Sequence, residues 1–369
     1  MARAGVLLLA IGSGGCGETA TEGAPEEPAG GGEATRILVG CQTDPLTLGA
    51  VSDPELAAPQ IVWTGTYFAV GWASADGYQI RITSGRGISN VLSLPTMPAS
   101  ASPQLLWTGS GLKLYYALED SIFVDTLSEI GQLAVADSQL VGIGSAAGGR
   151  GGFRAVMVEP DNVAVLTRDG IYSNGTKVQT QIYGIGAAGW NGQYFLYSDV
   201  LGHGAWSLNA RNADGSYLDD AMTLQWNGSG GTGRGAGSYF ASMASTRRHA
   251  VVVASGGLLT FALEGYPPFE RELLEPEADV SSFWDGERYI VLLANGPTED
   301  LGTANRDIAL MAFTKDGAWL TDTETPIAIS RFAEDERFPV GVGAGESEFG
   351  MAWIRDGELL VQRCAITTR

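Results

Sequence analysis

Apolar residues in this chain fall in short runs of about four to eight positions separated by polar joints. PQIVW at 59–63, YFAVGWAS at 67–74, YQIRITS at 78–84 and NVLSLP at 90–95 follow one another in this way, rich in Val, Ile, Leu and aromatic residues. Such runs predict short β-strands, and long helical periodicity is absent. The joints agree. The first and second runs of a unit are joined by Trp-Thr-Gly, Trp-Asn-Gly or Trp-Asp-Gly, and joints between third and fourth runs carry Asp214/Gly215 and Asp316/Gly317. These are hairpin turn residues. The predicted unit is therefore a four-stranded antiparallel sheet, strands A to D.

The unit repeats. PQIVWTGTYFAVGW at 59–72 is echoed by PQLLWTGSGLKLYY at 103–116. Aligning on the turn Trp and the residue five places later gives Trp63/Phe68, Trp107/Leu112, Gly148/Phe153, Trp190/Phe195, Ala244/His249, Trp284/Tyr289 and Ala344/Phe349, at offsets of 44, 41, 42, 54, 40 and 60. Seven strand-rich units of this length predict an all-β, seven-bladed β-propeller over residues 36–369. Trp63, Trp107, Trp190 and Trp284 are then wedges between neighbouring blades, each Phe68-type residue is buried, and the glycines at 142/144, 184/186/189 and 341/343 relieve crowding where inner strands converge. The pattern resembles propellers in general and no named propeller family: only Trp284/Asp285 matches the WD40 dipeptide, which that family places on a different strand.

Charge narrows the partners. Lys plus Arg total 22 against 42 acids, a formal charge of −20, which repels phosphate backbones and anionic headgroups and argues against nucleic acid. No apolar run is long enough to span a bilayer as a helix.

The first residues, MARAGVLLLAIGSGGCGE, place Arg3 before an apolar run at 4–11 and small residues ending at Cys16. This is the order of an export signal, and it resembles the signal of bacterial lipoproteins, in which the box-ending cysteine is lipidated. The resemblance implies a signal peptide over 1–15 and lipidation of Cys16, with ordinary signal cleavage as the alternative. Gly17, in place of the Asp that favours inner-membrane retention, implies an outer-membrane lipoprotein of the cell envelope, facing periplasm or exterior, whose membrane contact is through the anchor. Residues 16–35 carry no aromatic and almost no aliphatic side chain beyond Ala, so they predict a disordered tether.

Candidate chemistry is sparse. Gly184, Gly186 and Gly189 spell G-x-G-x-x-G, but a strand follows where a dinucleotide site needs a helix. No G-x-S-x-G, H-E-x-x-H or C-x-x-C motif occurs, and there are 2 histidines. His249 falls at a packing position, while His203 lies in a Gly-flanked stretch. In an antiparallel blade the B–C and D–A connections share one face, and the longer connections SDVLGHG, GSGGTGRGAG, GPTEDLGTANRD and SRFAEDER are all predicted to be of these kinds, the tight turns all of the other. They supply a candidate binding face of Asp199, His203, Trp226, Glu299, Asp300, Asp307, Glu334, Asp335 and Glu336. Long loops on a rigid scaffold are where binding usually resides. The expectation is a non-catalytic binding or scaffold module for an envelope or extracellular protein or glycan. It needs no cofactor, apart from a divalent cation such as calcium that the acids could hold. The alternative is a propeller hydrolase or lyase using paired carboxylates of that face, for which convergence beside the axial channel would be the mark.

Ring closure ends the reading. ELLVQRCAITTR supplies strand C of the seventh unit with no strand D after it, and RILVGCQTDPLTLGAV precedes the first inner strand, so the N-terminal segment is expected to supply the missing outer strand. If lipidation takes Cys16, Cys41 and Cys364 remain as an even pair in an oxidising compartment and are expected to form a disulfide across this seam, with two free thiols as the alternative.

Overall fold

A computed structural model describes residues 37–41, 44–54, 57–84, 88–94, 97–128, 139–143, 153–159, 162–167, 169–173, 176–180, 185–202, 205–214, 216, 218, 227–229, 240–255, 258–266, 268–272, 279–295, 306–320, 326–330, 334–345 and 347–368. The signal, Cys16 and the tether lie outside these residues.

The strands form seven antiparallel sheets. Blade one runs outward through Gln60–Trp63, Phe68–Ser74, Gly77–Thr83 and Ile88–Leu94. The inner strands of blades two to seven are Gln104–Trp107, Phe153–Glu159, Ile185–Trp190, Phe240–Ser245, Asp279–Trp284 and Glu336–Gly345. Each inner strand neighbours the next around the ring, and the seventh neighbours the first. The chain is a closed seven-bladed β-propeller.

Its core is a set of inter-blade layers. Successive side chains of a strand point to opposite faces, and strand B of each blade is covered on both. In blade five, Val251 and Val253 pack with Tyr194 and Leu196 of blade four, while Val252 packs with Tyr289, Val291 and Met311 of blade six. This is why second strands read as uninterrupted apolar runs such as FAVGWA and YIVLLA. Phe68, Leu112, His249 and Tyr289 begin these strands, Phe195 and Phe349 stand second in theirs, and all six are buried. Trp63, Trp190 and Trp284 sit against them at ring-centroid distances of 4.7, 4.6 and 4.7 Å, and with Trp107 they pack against inter-blade clusters, as wedges should.

The recurring Trp-x-Gly has a local cause. The residue after Trp carries a small oxygen-bearing side chain that accepts turn amides: Thr64 Oγ1 from Tyr67 N at 3.1 Å, Asn191 Oδ1 from Tyr194 N at 3.1 Å, Asp285 Oδ1 from Arg288 N at 2.7 Å. The following glycine takes φ of 92°, 95° and 108° at positions 65, 192 and 286, a region costly for other residues.

Unit three departs from the expected alignment. Phe153 is buried, but it opens the inner strand, and the strand A to B joint follows Glu159, which pairs with Asn162. This blade lacks a Trp-x-Gly turn, so the spacing match at Gly148/Phe153 was coincidental. Gly142 accordingly lies on blade two's outer strand, paired with Ile122, whereas Gly189, Gly341 and Gly343 do lie on inner strands; a Cβ at Gly343 would meet the backbone of Trp284 and Asp285 in blade six.

The seam closes as the terminal segments predicted. Ile37–Cys41 and Leu46–Ala50 both pair with Glu358–Thr368, forming one interrupted outer strand of blade seven. Cys41 and Cys364 are direct partners in register and are joined by a disulfide, their Cα atoms 4.0 Å apart. Trp72 Nε1 donates to Ala50 O at 3.1 Å, tying blade one to the same seam.

Candidate functional site

The tight turns are not confined to one face. Two-residue turns join strands B and C at Ser74–Gly77 in blade one, Leu118–Ser121 in blade two and Arg355–Glu358 in blade seven. The described part of SDVLGHG is strand: Tyr194–Gly202 continues to a point where Gly202 pairs with Ala205.

The proposed face is therefore built differently. Asp199 lies on that extended strand, paired with Ser207. Asp307 opens blade six's third strand opposite Asn295 and is half-buried. Glu334 and Asp335 are exposed in the connection to blade seven, where Asp335 Oδ1 accepts from Arg306 N at 3.1 Å and Oδ2 stands 3.8 Å from Arg306 Nη1. Glu336, expected on the surface, is fully buried. It is the first residue of blade seven's inner strand, and strand alternation turns its side chain inward, where the carboxylate accepts from Trp353 Nε1 at 2.8 Å and from Ser330 Oγ. Burial raises its pKa above the ordinary carboxylate value, with those hydrogen bonds opposing. Three consecutive acids thus have three separate fates and do not converge. His203, Trp226, Glu299 and Asp300 lie outside the described residues.

His249 is the structural residue its packing position implied. Its ring is buried, with Nδ1 2.8 Å from Ser245 Oγ and Nε2 3.2 Å from Tyr194 O. A carbonyl can only accept, so Nε2 carries the proton and Nδ1 accepts from the serine hydroxyl. Burial lowers its pKa to about 4, partly opposed by Glu264.

The feature that the sequence did not reveal lies on the axis. Gln60 and Gln104 are the first residues of the inner strands of blades one and two. Gln60 Nε2 donates to Pro103 O and its Oε1 accepts from Leu105 N at 2.5 Å. Gln104 repeats the arrangement one blade on, donating to Phe153 O at 2.7 Å and accepting from Ala155 N at 3.0 Å. Each carboxamide acts as a fragment of strand, bonding the C=O of one residue and the N–H two residues on along its neighbour's inner edge. Asp279 occupies the same place in blade six and accepts from Phe338 N of blade seven at 3.1 Å. Ser242 of blade five accepts from Ser282 N of blade six at 2.8 Å. The repeated Pro-Gln is the signal that could have revealed this belt.

The belt borders a cavity of about 320 Å³ whose described lining is Ala57, Ala58, Pro59, Gln60, Ser102, Pro103, Gln104, Leu105, Arg154, Ser242 and Val340. Inner strands begin at the face of the D–A connections, and 57–59 and 102–103 are the ends of two such connections, so the cavity opens on the face that also bears Glu334. Arg154 is the single charged residue of this lining, and no carboxylate belongs to it. Ser102 is buried with φ of 46°, an uncommon backbone state for a non-glycine residue and one that clusters at functional sites. Among the described residues no group of three or more His, Cys, Asp or Glu side chains is placed to hold a metal ion.

With fold and cavity in place, the molecule is by class a seven-bladed β-propeller with an axial pocket of mixed polar and apolar lining. Among solved structures, it is similar to the WD40 domain of Toxoplasma gondii coronin at 11% identity and a TM-score of 0.54, over 90% of this chain and 86% of that one. It is also similar to the Myceliophteria thermophila Cps50 (Swd1) β-propeller domain at 10% identity and a TM-score of 0.47, over 88% and 100%. At such identity the first likeness concerns fold alone. No family model matches the sequence, and no curated protein does.

Proposed function

We propose that the chain is an exported, lipid-anchored binding module that presents the D–A face of its ring to a protein or glycan partner. The observation that carries this reading is the axial pocket: a concavity on the face of the longer connections whose described lining sets two carboxamides, two serines and one arginine among Ala, Pro, Leu and Val side chains and holds no carboxylate. Among the described residues, paired acids, which hydrolysis or elimination of a glycosidic bond would need, are not brought together there. The Cys41–Cys364 bond is of a kind retained in oxidising compartments and supports export. In this reading Cys16 is the lipidated residue, the tether lifts the ring from the outer membrane by a distance on the order of 25 Å, and the propeller is a scaffold held at the envelope.

The test has two parts. Labelling of growing cells with a fatty-acid analogue should mark the wild type and not Cys16→Ala, and membrane fractionation should release the variant. Capture from native envelope by the wild-type chain should yield a defined partner set that Glu334→Lys with Asp335→Lys diminishes. An unlabelled wild-type chain would remove the anchor, and an unchanged partner set would remove the face.

A further inference from the structure

Resting on the binding-module reading above, we infer that the mouth of the axial channel is a site for one neutral sugar unit, seated on the ring axis and held by the carboxamides of Gln60 and Gln104 and the hydroxyl of Ser242.

Position comes from the register of the blades. The described lining draws on five inner strands, with Gln60 from blade one, Gln104 from blade two, Arg154 from blade three, Ser242 from blade five and Val340 from blade seven. Gln60, Gln104, Ser242 and Val340 stand opposite Gly71, Tyr115, Val252 and Ala352. Those partners hold one and the same place in their second strands, counted from Phe68, Leu112, His249 and Phe349. A single level of the ring therefore lines the cavity, and a ligand in it lies on the axis, one to a ring.

Chemistry comes from the hydrogen-bonding capacity left at that level. A primary carboxamide has two N–H donors and two lone-pair acceptors. Gln60 and Gln104 each spend one N–H and one lone pair on the next blade, and among the described residues no bond occupies the second of either. The inter-blade bonds also hold both amides in place, so a ligand pays little to order them. Ser242 Oγ accepts from Ser282 N at 2.8 Å and from Ser282 Oγ at 3.2 Å, which leaves its own O–H to donate. Neutral groups that both give and take are matched by hydroxyls, which do the same. Arg154 and Ser102 complete the rim, are engaged within the fold and are not needed for this pairing. A chain of formal charge −20 disfavours an anion in any case.

Size sets the upper bound. About 320 Å³ is at the lower end of ligand pockets, roughly 300–1,000 Å³, and suits one ring-sized body. Pro59, Pro103 and Leu105 supply apolar wall for the C–H face of a sugar. Such a unit can be a free monosaccharide or the terminal residue of a glycan.

The test follows the two amides in the whole chain, isotope-labelled at its glutamine side chains, by NMR. Spectra of Gln60→Met and Gln104→Met assign the signals, and D-glucose, D-galactose and D-mannose are titrated to about 10 mM, the range of a weak specific site. At least one sugar should move both amides saturably, at one site per ring. Cyclohexanol, a ring of similar size with a single hydroxyl, should bind at least about tenfold more weakly, the scale of two lost hydrogen bonds. Ala58→Phe, which fills the pocket from a wall residue outside the carboxamide belt, should abolish the shifts with its melting temperature retained; if it melts early, the wild-type shifts decide alone. A disaccharide ending in the preferred sugar that binds at least as well assigns the glycan source, and one that does not bind assigns the free sugar; either upholds the site. No movement of either amide with any of the sugars, cyclohexanol binding as tightly, or unaltered shifts in a folded Ala58→Phe would overturn it. If envelope partners are still captured when no sugar binds, the pocket assignment fails and the binding-module reading stands.

Discussion

Replacing Gln104 tests whether the axial carboxamides hold the ring together or only fill space. The side chain makes two bonds to blade three, at 2.7 Å to Phe153 O and 3.0 Å to Ala155 N. At about 1 kcal/mol net for each bond, Gln104→Ala should cost about 2 kcal/mol. In a chain of this length about 1 kcal/mol moves the melting point by roughly 2 °C, so the variant should melt about 4 °C lower. Gln104→Glu is the sharper probe, because it keeps the shape. Ionised, the new carboxylate can accept from Ala155 N–H but has no proton for Phe153 O, and two oxygens face each other. At pH 7 it should lose at least as much as the alanine variant. Near pH 4 the carboxyl is largely protonated, can again donate, and should recover most of the deficit relative to wild type at the same pH. Differential scanning fluorimetry of the three proteins at both pH values measures this. A glutamate variant that melts with the wild type at pH 7, or one that tracks the alanine variant at both pH values, would refute the strand-mimic role.

Three further outcomes follow from the fold. The Cys41–Cys364 bond closes a loop with a sequence separation of 323, so on the chain-entropy model Cys41→Ala with Cys364→Ala should lose about 5 kcal/mol; two reactive thiols in the oxidised wild type would contradict the bond. Burial holds the His249 pKa at about 4, below the imidazole of the unfolded chain, so the unfolded state binds the extra proton first. Its contribution is complete above about pH 6.5 and is lost as pH falls towards 4, by about 3 kcal/mol in urea titrations. Glu336, with its raised pKa, acts in the opposite sense, so the comparison is with His249→Gln, which should flatten that part of the slope; an equal slope in the variant would refute the assignment. Gly343→Ala should cost about 2 kcal/mol, because the new methyl meets blade six's backbone, a contact that cannot rotate away. Gly40→Ala on the closing strand, where nothing lies within 4 Å of the added Cβ, should melt with the wild type, and similar losses in both would contradict the close approach at Gly343.

The blades were legible because their signals are local. Trp-Thr-Gly, Trp-Asn-Gly and Trp-Asp-Gly each encode one turn whose side-chain oxygen and left-handed glycine leave little alternative, and both-sided burial writes strand B as an apolar run. Blade three lacks that turn, and its joint after Glu159 follows no repeated phrase, so spacing alone misplaced it. The ends could be paired because a missing outer strand and a spare strand must meet in a closed ring. The site was far less legible. Glu334, Asp335 and Glu336 look alike in sequence, yet the strand begins at Glu336, and one step of alternation separates a solvated acid from a buried one. Gln60 and Gln104 stood in the repeated phrase, but their partners lie on the next blade, and nothing short of the ring geometry places a glutamine side chain against Leu105 N or Ala155 N. Arg154 belongs to the blade whose alignment was wrong, so its place at the mouth was not derivable.

The central claim, that the D–A face is the binding face, is tested most directly by residue-resolved cross-linking in intact cells. A photoreactive amino acid is placed at Glu334 on that face and, in a second strain, at Arg247, which is exposed in the strand A to B turn of blade five on the opposite face. The account predicts discrete, reproducible adducts from position 334 and none from position 247. Adducts of the same partner from position 247 alone, or none from position 334, would contradict it.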